Sequence, residues 1–497
     1  MRFRGPVEER TLSRVGGALM RRNLLFYAAV LVIFGGIALW VLHLGPRLPG
    51  GSPPAGTGSA FGANLRDPLT TLLLQVIVIV ALAKALGQIF LRIGQPTVTG
   101  EIMAGILLGP SVLGSAFPSA TAFLFPPSSM GGLGLLSQIG VILFMFAVGM
   151  DLDIERLRGT AQTAVLVSHA SMVVPFSLGT VLALVVYRSM AAPHVAFTAF
   201  ALFMGVAMSI TALPVLARIV EERGLSKSPP GVTALAAAAV GDASAWCILA
   251  VIVPIVRAKG LLDSAMTIVL LLAFAAMMLL LIKPAAGRLV QSRWPTETFG
   301  KGLIAGALVF AVASALFTQT IGVHALFGAF LAGVAMPSYR PLRALLKEQL
   351  ETFGAVLLLP LYFAFTGLRM RVGLLSDWQS WLACAAIIAV AVAGKMGAGT
   401  AAARWTRMSW LDSLSVGALM NTRGLVELIV LNIGYDLGIL PPKIFAMLVL
   451  MALVTTFMTG PLLSLFGFLE RVQQAVRARD TQAVPASLRE GLRAVTK

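Results

Sequence analysis

The sequence predicts an all-α polytopic membrane protein made of two inverted six-helix repeats with broken helices, and three observations carry that prediction. First, 58 % of the 497 residues are hydrophobic and only 12 % are charged, where globular domains average ~45–50 % and ~25 %. The mean hydropathy is +0.89, too high for all the apolar residues to fit inside one water-soluble core. Second, apolar runs near the ~20 residues that cross a bilayer recur along the whole chain. They are continuous rather than alternating, which selects helices over barrel strands. Third, polar, Pro/Gly-interrupted runs stand at corresponding places in the two halves of the chain.

This composition excludes a soluble enzyme with a tail anchor, a disordered protein and a disulfide-built secreted domain. The net charge of +17 lies in short clusters between apolar runs without interleaved aromatics, so no nucleic-acid partner is expected. Cys247 and Cys384 stand in apolar runs and read as small buried hydrophobes, with no disulfide and no metal site.

In chain order, residues 1–22 form a basic N-terminus and 23–44 an extra N-terminal span. A Pro/Gly/Ser-rich extracytoplasmic connector covers 45–69. The membrane domain, 70–468, reads as thirteen spans at about 70–92, 97–113, 133–150, 161–187, 195–219, 229–256, 264–282, 301–318, 321–337, 352–369, 380–403, 410–433 and 443–468. A short tail, 469–497, follows. It contains no GxGxxG motif, so no nucleotide partner is expected. With the N-terminus inside, 27 Lys and Arg fall in cytoplasmic segments and eight outside. That asymmetry fits the positive-inside rule and places both termini in the cytoplasm. The run at 23–44 is close to full bilayer width and lacks a small-x-small cleavage site, so a retained helix is expected rather than a cleaved signal.

Few ionisable groups remain within the spans: Lys84, Glu101, Asp242, Lys395, Arg423 and Glu427. A charge at mid-bilayer costs at least ~2.5–3.5 kcal/mol, so each needs a partner, a water path or a function. Lys84 lies near a span end and can snorkel. Glu101 begins a helix in Gly-Glu-Ile-Met-Ala-Gly and suits either a structural or a functional role. Asp242 has long flanks of small and apolar residues, so it can neither snorkel nor cap an end; it reads as an ion or proton site. Lys395 is its mid-span counterpart, either a static counter-charge or a group that competes for the aspartate. Arg423 and Glu427 are four apart on one helical face and can pair with each other. His169 and His324 read as satisfied core or pH-modulating residues.

Two spans are interrupted. One carries Ser209 and Thr211 before Pro214, and the other reads Asn421, Thr422, Arg423, Gly424. Exposed half-helix ends and free carbonyls at such places can coordinate a dehydrated cation. The halves, 70–256 and 301–468, have opposite membrane orientation, which makes the repeats inverted.

These residues stand in recognisable phrases. Gly94-Gln-Pro-Thr-Val-Thr-Gly-Glu-Ile-Met-Ala-Gly-Ile-Leu-Leu-Gly-Pro-Ser111 resembles the second core helix of the monovalent cation–proton antiporter family, in the branch of Kef-type efflux systems and plant cation/H+ exchangers. Thr211-Ala-Leu-Pro-Val-Leu-Ala-Arg218 is similar to its first broken helix. Gly322-Val-His-Ala-Leu-Phe-Gly-Ala-Phe-Leu-Ala-Gly333 and Asn421-Thr-Arg-Gly-Leu-Val-Glu-Leu-Ile-Val-Leu-Asn432 are close to the family wording.

The resemblance implies a sodium/proton antiporter-type fold of thirteen core helices, commonly a homodimer, with a panel domain and a mobile core domain. It implies an ion-binding carboxylate at Asp242, a basic partner at Lys395 and crossing backbone near Thr211 and Asn421 to Gly424. Two departures stand out: Gly241 where relatives carry Asn, Gln or Asp, and the added span at 23–44.

The expected function is therefore antiport of K+ or Na+ against H+ by alternating access, with no cofactor, no catalytic group and no metal beyond the transported cation. One titrating carboxylate predicts one-for-one exchange without net charge movement. The rival readings are a K+ efflux channel or facilitator, which would need a TVGYG-like filter that is absent, and an organic-ion transporter on the same scaffold.

Overall fold

A computed structural model of the chain describes residues 29, 32–37, 39–40, 64, 67–151, 161–257, 261–293, 301–337 and 339–483. Every regular element among them is helical. Among the described residues, twelve helices are long and apolar enough to cross a membrane, and the expected span at 321–337 is the shorter apolar helix Ala325–Ala335. The expectations for 1–22, for most of 23–44 and 45–69, and for 484–497 fall outside the described residues.

Several boundaries differ from the hydropathy reading, each for a local reason. The run at 97–113 is helical over Thr97–Leu108, breaks at Gly109 and Pro110, and resumes at Leu113–Ala116. The run at 264–282 continues through a π turn, Met277–Ile282, into the basic helix Lys283–Arg293. The run at 352–369 is preceded by the polar helix Arg340–Phe353 and joins it through a π turn before Leu359–Arg369. The last span extends past 468 as one helix, Pro442–Ala483, because no Gly or Pro stands between Leu469 and Ala483 to stop it.

The chain divides into two compact units, each taking one segment from each half of the sequence: 1–152 with 259–374, and 153–258 with 375–497.

In the first unit, helices Pro68–Arg92, Pro127–Asp151 and Leu359–Arg369 enclose a core of Ile79, Leu133, Leu361, Phe365 and Leu368. The Arg343 guanidinium donates to the carbonyls of Pro337, Met336 and Met150 at 2.8–2.9 Å, capping the ends of two helices. Small residues bring backbones together. A Cβ on Gly149 would strike the Phe330 carbonyl, and one on Gly333 would strike the Phe146 carbonyl. Neither obstacle is a movable side chain. Gly149→Ala and Gly333→Ala are each expected to cost about 1–3 kcal/mol through overpacking. Gly131→Ala, which meets nothing within 4 Å, is expected to be neutral or stabilising. Thermal melts of the three purified variants in one detergent check this.

The second unit holds Ala161–Met190, the half-helices Phe197–Ser209 and Leu213–Glu222, Pro229–Arg257, Trp378–Trp405, the half-helices Trp410–Met420 and Leu425–Asp436, and Pro442–Ala483. Pro175, Pro254 and Pro461 lie inside continuous helices.

Asp377 caps Trp378–Trp405, accepting from the Ser380 backbone N–H at 3.0 Å and the Ser380 hydroxyl at 2.6 Å, with the Lys443 ammonium at 3.2 Å. The Ser380 hydroxyl and then Lys443 hold its carboxyl down to about 2. A folded value below the unfolded ~3.9 means that this cap supports the fold above pH ~4 and loses its effect as pH falls through about 2. The Tm difference between wild type and Asp377→Asn is accordingly expected to be constant from pH 8 to 5 and to shrink only in strong acid.

Candidate functional site

The two interrupted spans meet at their non-helical backbone. Residues 210–212 leave the helix before Pro214, which occupies the first turn of Leu213–Glu222, where a missing N–H has no intrahelical partner to lose. Residues 421–424 separate Trp410–Met420 from Leu425–Asp436. The crossing is held by two bonds: the Ala212 N–H donates to the Thr422 carbonyl at 3.1 Å, and the Thr211 hydroxyl donates to the Met420 carbonyl at 3.1 Å. Gly424 serves close approach here. A Cβ at that position would lie 2.6 Å from Val215 Cγ2 and 3.2 Å from Ala212 Cβ.

Breaking two helices at mid-span exposes carbonyls at one set of ends and N–H groups at the other. The structure answers each with a charge. Arg423, 1 % exposed, donates through Nη1 to the Ala207 carbonyl at 2.7 Å and through Nη2 to the Met208 carbonyl at 2.8 Å. Its Nη1 also pairs with Glu427 Oε1 at 3.0 Å. The Lys395 ammonium, likewise 1 % exposed, donates to the Ser209 carbonyl and, at 3.1 Å, to the Ser171 carbonyl. Three successive carbonyls at the negative end of Phe197–Ser209 thus face two basic side chains, the favourable sense for a helix dipole. Glu427 sits in the first turn of Leu425–Asp436, where a carboxylate suits the positive end.

Asp242 is the exception. It is 2 % exposed, and neither carboxylate oxygen has a hydrogen-bond partner. The Lys395 ammonium and the Leu213 backbone N–H, at the positive end of the second half-helix, bear on it electrostatically. The Asn421 side-chain amide at the crossing is fully buried with both polar atoms unpartnered. A carboxylate and an amide left unsatisfied in a dry interior cost several kcal/mol unless something else meets them.

The other sequence-designated residues are placed as follows. Ser209 is buried and its hydroxyl donates to the Val206 carbonyl at 2.9 Å. Glu101 is the fifth residue of its helix rather than the first, and it lies 3.8 Å from Lys84 in the first unit. Lys84 is thus part of an ion pair while its side chain keeps 29 % exposure. His169 is exposed, with its ring nitrogen 2.9 Å from the Val165 carbonyl. His324 caps Ala325–Ala335.

Cys384 is buried as expected, but Cys247 is exposed. A thiol is apolar enough to face hydrocarbon without a partner.

Sequence reasoning missed the threonines that clasp the second break. Thr456 Oγ1 accepts from the Arg423 N–H at 3.0 Å and donates to the Arg423 carbonyl at 2.7 Å. Thr459 Oγ1 lies 3.4 Å from Thr422 Oγ1. The signal was present in Val454-Thr-Thr-Phe-Met-Thr459, three hydroxyls in one span.

Crossed half-helices beside an unpartnered, buried carboxylate, in a chain of membrane-length helices, are the architecture of a secondary transporter. The chain belongs to the sodium/hydrogen exchanger family: residues 77–468 match the family described as "Sodium/hydrogen exchanger, transmembrane".

It is 39 % identical over 397 residues to the Na(+)/H(+) antiporter NhaS4 of Synechocystis, covering 80 % of this chain and 97 % of that protein. It is 34 % identical to K(+)/H(+) antiporter 1 of Saccharomyces cerevisiae, with 82 % and 47 % covered, and 39 % identical to Cation/H(+) antiporter 17 of Arabidopsis thaliana, with 84 % and 51 % covered. It spans about half the length of these last two. The fold is that of the sodium proton antiporter MjNhaP1 from Methanocaldococcus jannaschii, with TM-score 0.58 at 15 % identity over 80 % of this chain and 96 % of that one.

Proposed function

We propose that this protein exchanges K+ or Na+ for H+ across the membrane, with Asp242 holding either guest but never both. The observation that carries this reading is the pair of unpartnered Asp242 oxygens at the crossing. A proton neutralises the carboxylate. A cation replaces it by drawing on the same oxygens, with the Asn421 amide oxygen supplying a neutral ligand and the backbone carbonyls of Ile210, Thr211 and Asn421 completing the shell. Binding one guest expels the other, so the two fluxes are coupled.

On this reading the second unit is the moving core and the first the panel, alternating access carries Asp242 between the two sides, and the chain works as a homodimer with both termini cytoplasmic. The halves 70–256 and 301–468 then form inverted repeats within a core of thirteen helices, and 23–44 adds one more. Arg423 and Lys395 hold the half-helix ends in place rather than bind the cation.

The test is dye-monitored dissipation of a preset ΔpH in proteoliposomes on addition of Na+, K+, Li+ or choline. Dissipation by Na+ or K+ but not by choline is expected. Cation flux that leaves ΔpH intact would identify a channel instead.

A further inference from the structure

The helices Trp378–Trp405 and Trp410–Met420 border a cavity of about 820 Å³, far from the crossing in chemistry. Its length is apolar, lined by Val392, Met396, Gly397, Ala401 and Leu414, and one end carries Arg404 and Arg407 beside Trp405 and Trp410. Val392 and Arg404 are twelve residues apart on one helix. At 1.5 Å per residue the groove runs ~18 Å, close to the ~15 Å depth of one leaflet's hydrocarbon. Trp405 is 83 % exposed and Trp410 64 %, as expected for indoles at the level of lipid headgroups.

Both arginines keep N–H donors to spare. Arg407 has no hydrogen-bond or ion-pair partner for its guanidinium among the described residues. It is also the one non-glycine residue among them with positive φ, at 67°. It directly follows the C-cap Thr406, where glycine is the unstrained choice. Arg404 uses Nη1 for the Met408 carbonyl at 2.8 Å and stacks on Trp410 at 5.2 Å, leaving further N–H donors free. A long apolar trough with two available guanidiniums at its interfacial end matches one amphiphile: an acyl chain ending in a phosphate.

We propose that this groove is a binding site for an anionic phospholipid, its phosphate held by Arg404 and Arg407 and one acyl chain lying along Met396, Gly397 and Leu414. Guanidinium forks suit phosphate oxygens. A basic pocket between helices at the cytoplasmic side is a lipid-headgroup site by its charge alone, and here the groove supplies the chain's path as well.

The test counts lipid retained by the purified full-length protein in neutral detergent, by native mass spectrometry, after adding phosphatidylglycerol or phosphatidylcholine with identical chains. Wild type is expected to prefer phosphatidylglycerol. Arg407→Gly relieves the backbone strain, so Tm should hold or rise while the preference falls roughly fivefold. Arg404→Ala with Arg407→Gly should remove it. Gly397 has open space around its Cβ position, so Gly397→Leu should fold normally yet reduce retention of both lipids. An unchanged preference in the double variant would overturn the proposal. So would inorganic phosphate displacing the lipid at equal concentration, since the site would then recognise phosphate without a chain.

Discussion

Asp242→Asn is expected to cut cation-driven ΔpH dissipation by at least two orders of magnitude without lowering the Tm. The two halves of this expectation rest on the same geometry. Asparagine keeps the shape of the side chain but cannot ionise, so it neither binds a proton at working pH nor offers a charge to a cation. The native carboxylate has no hydrogen-bond partner and is 2 % exposed, so the fold gains little from its charge. The buried carboxylate also carries a desolvation penalty that a neutral amide largely avoids, and that relief offsets the lost attraction of Lys395. A core carboxylate that served mainly as a structural counter-charge to Lys395 would behave in the opposite way, with Tm falling and transport partly kept. Proteoliposome flux and a detergent melt on the same preparation separate the two outcomes. Transport retained in the asparagine variant would overturn the site assignment.

Arg423→Ala is expected to be the most damaging single change to stability, at about 3–5 kcal/mol. It removes three contacts at 3.0 Å or less. It leaves Glu427 buried and unpaired, and it uncovers the Ala207 and Met208 carbonyls at a buried helix end. Arg423→Lys keeps the charge but not the two-armed reach, so an intermediate loss is expected. Replacing both partners, as Arg423→Met with Glu427→Met, should cost less than Arg423→Ala alone, because no lone carboxylate remains. Denaturation in detergent, with folded yield by size exclusion, measures the series. If the alanine variant melted within 1 °C of wild type, the anchoring role of Arg423 would be excluded.

Much of this architecture is legible in the sequence because hydrocarbon leaves the chain few options. Spans follow from apolar length. The first break follows from Ser209, Thr211 and Pro214 together, and the second from four polar or small residues in a row. Proline alone is a poor guide: Pro175, Pro254 and Pro461 are absorbed inside helices. Asp242 is legible as an intramembrane charge whose flanks explain nothing.

The partners are less legible. Lys395 and Asp242 read as a pair from their matched positions, yet the ammonium donates to two backbone carbonyls. Those carbonyls become free only once a helix breaks, and a carbonyl leaves no mark in a residue code. Glu101 and Lys84 each had a local explanation, which hid the fact that they meet across two helices. The clasp of Thr456 on Arg423 was missed because threonine in a membrane helix ordinarily bonds back to its own turn.

The four buried charges around the crossing, Arg423 and Lys395 against Glu427 and Asp242, balance formally when no guest is present. A proton and a monovalent cation then raise that balance by the same single unit. In the proposed exchange cycle, a core that moves with either ion aboard would carry an equal charge on its outward and return journeys, so the electric field across the bilayer would do no net work over a cycle. The ΔpH at which exchange comes to rest for a given Na+ gradient is therefore expected to be the same at opposite potentials set by a permeant anion.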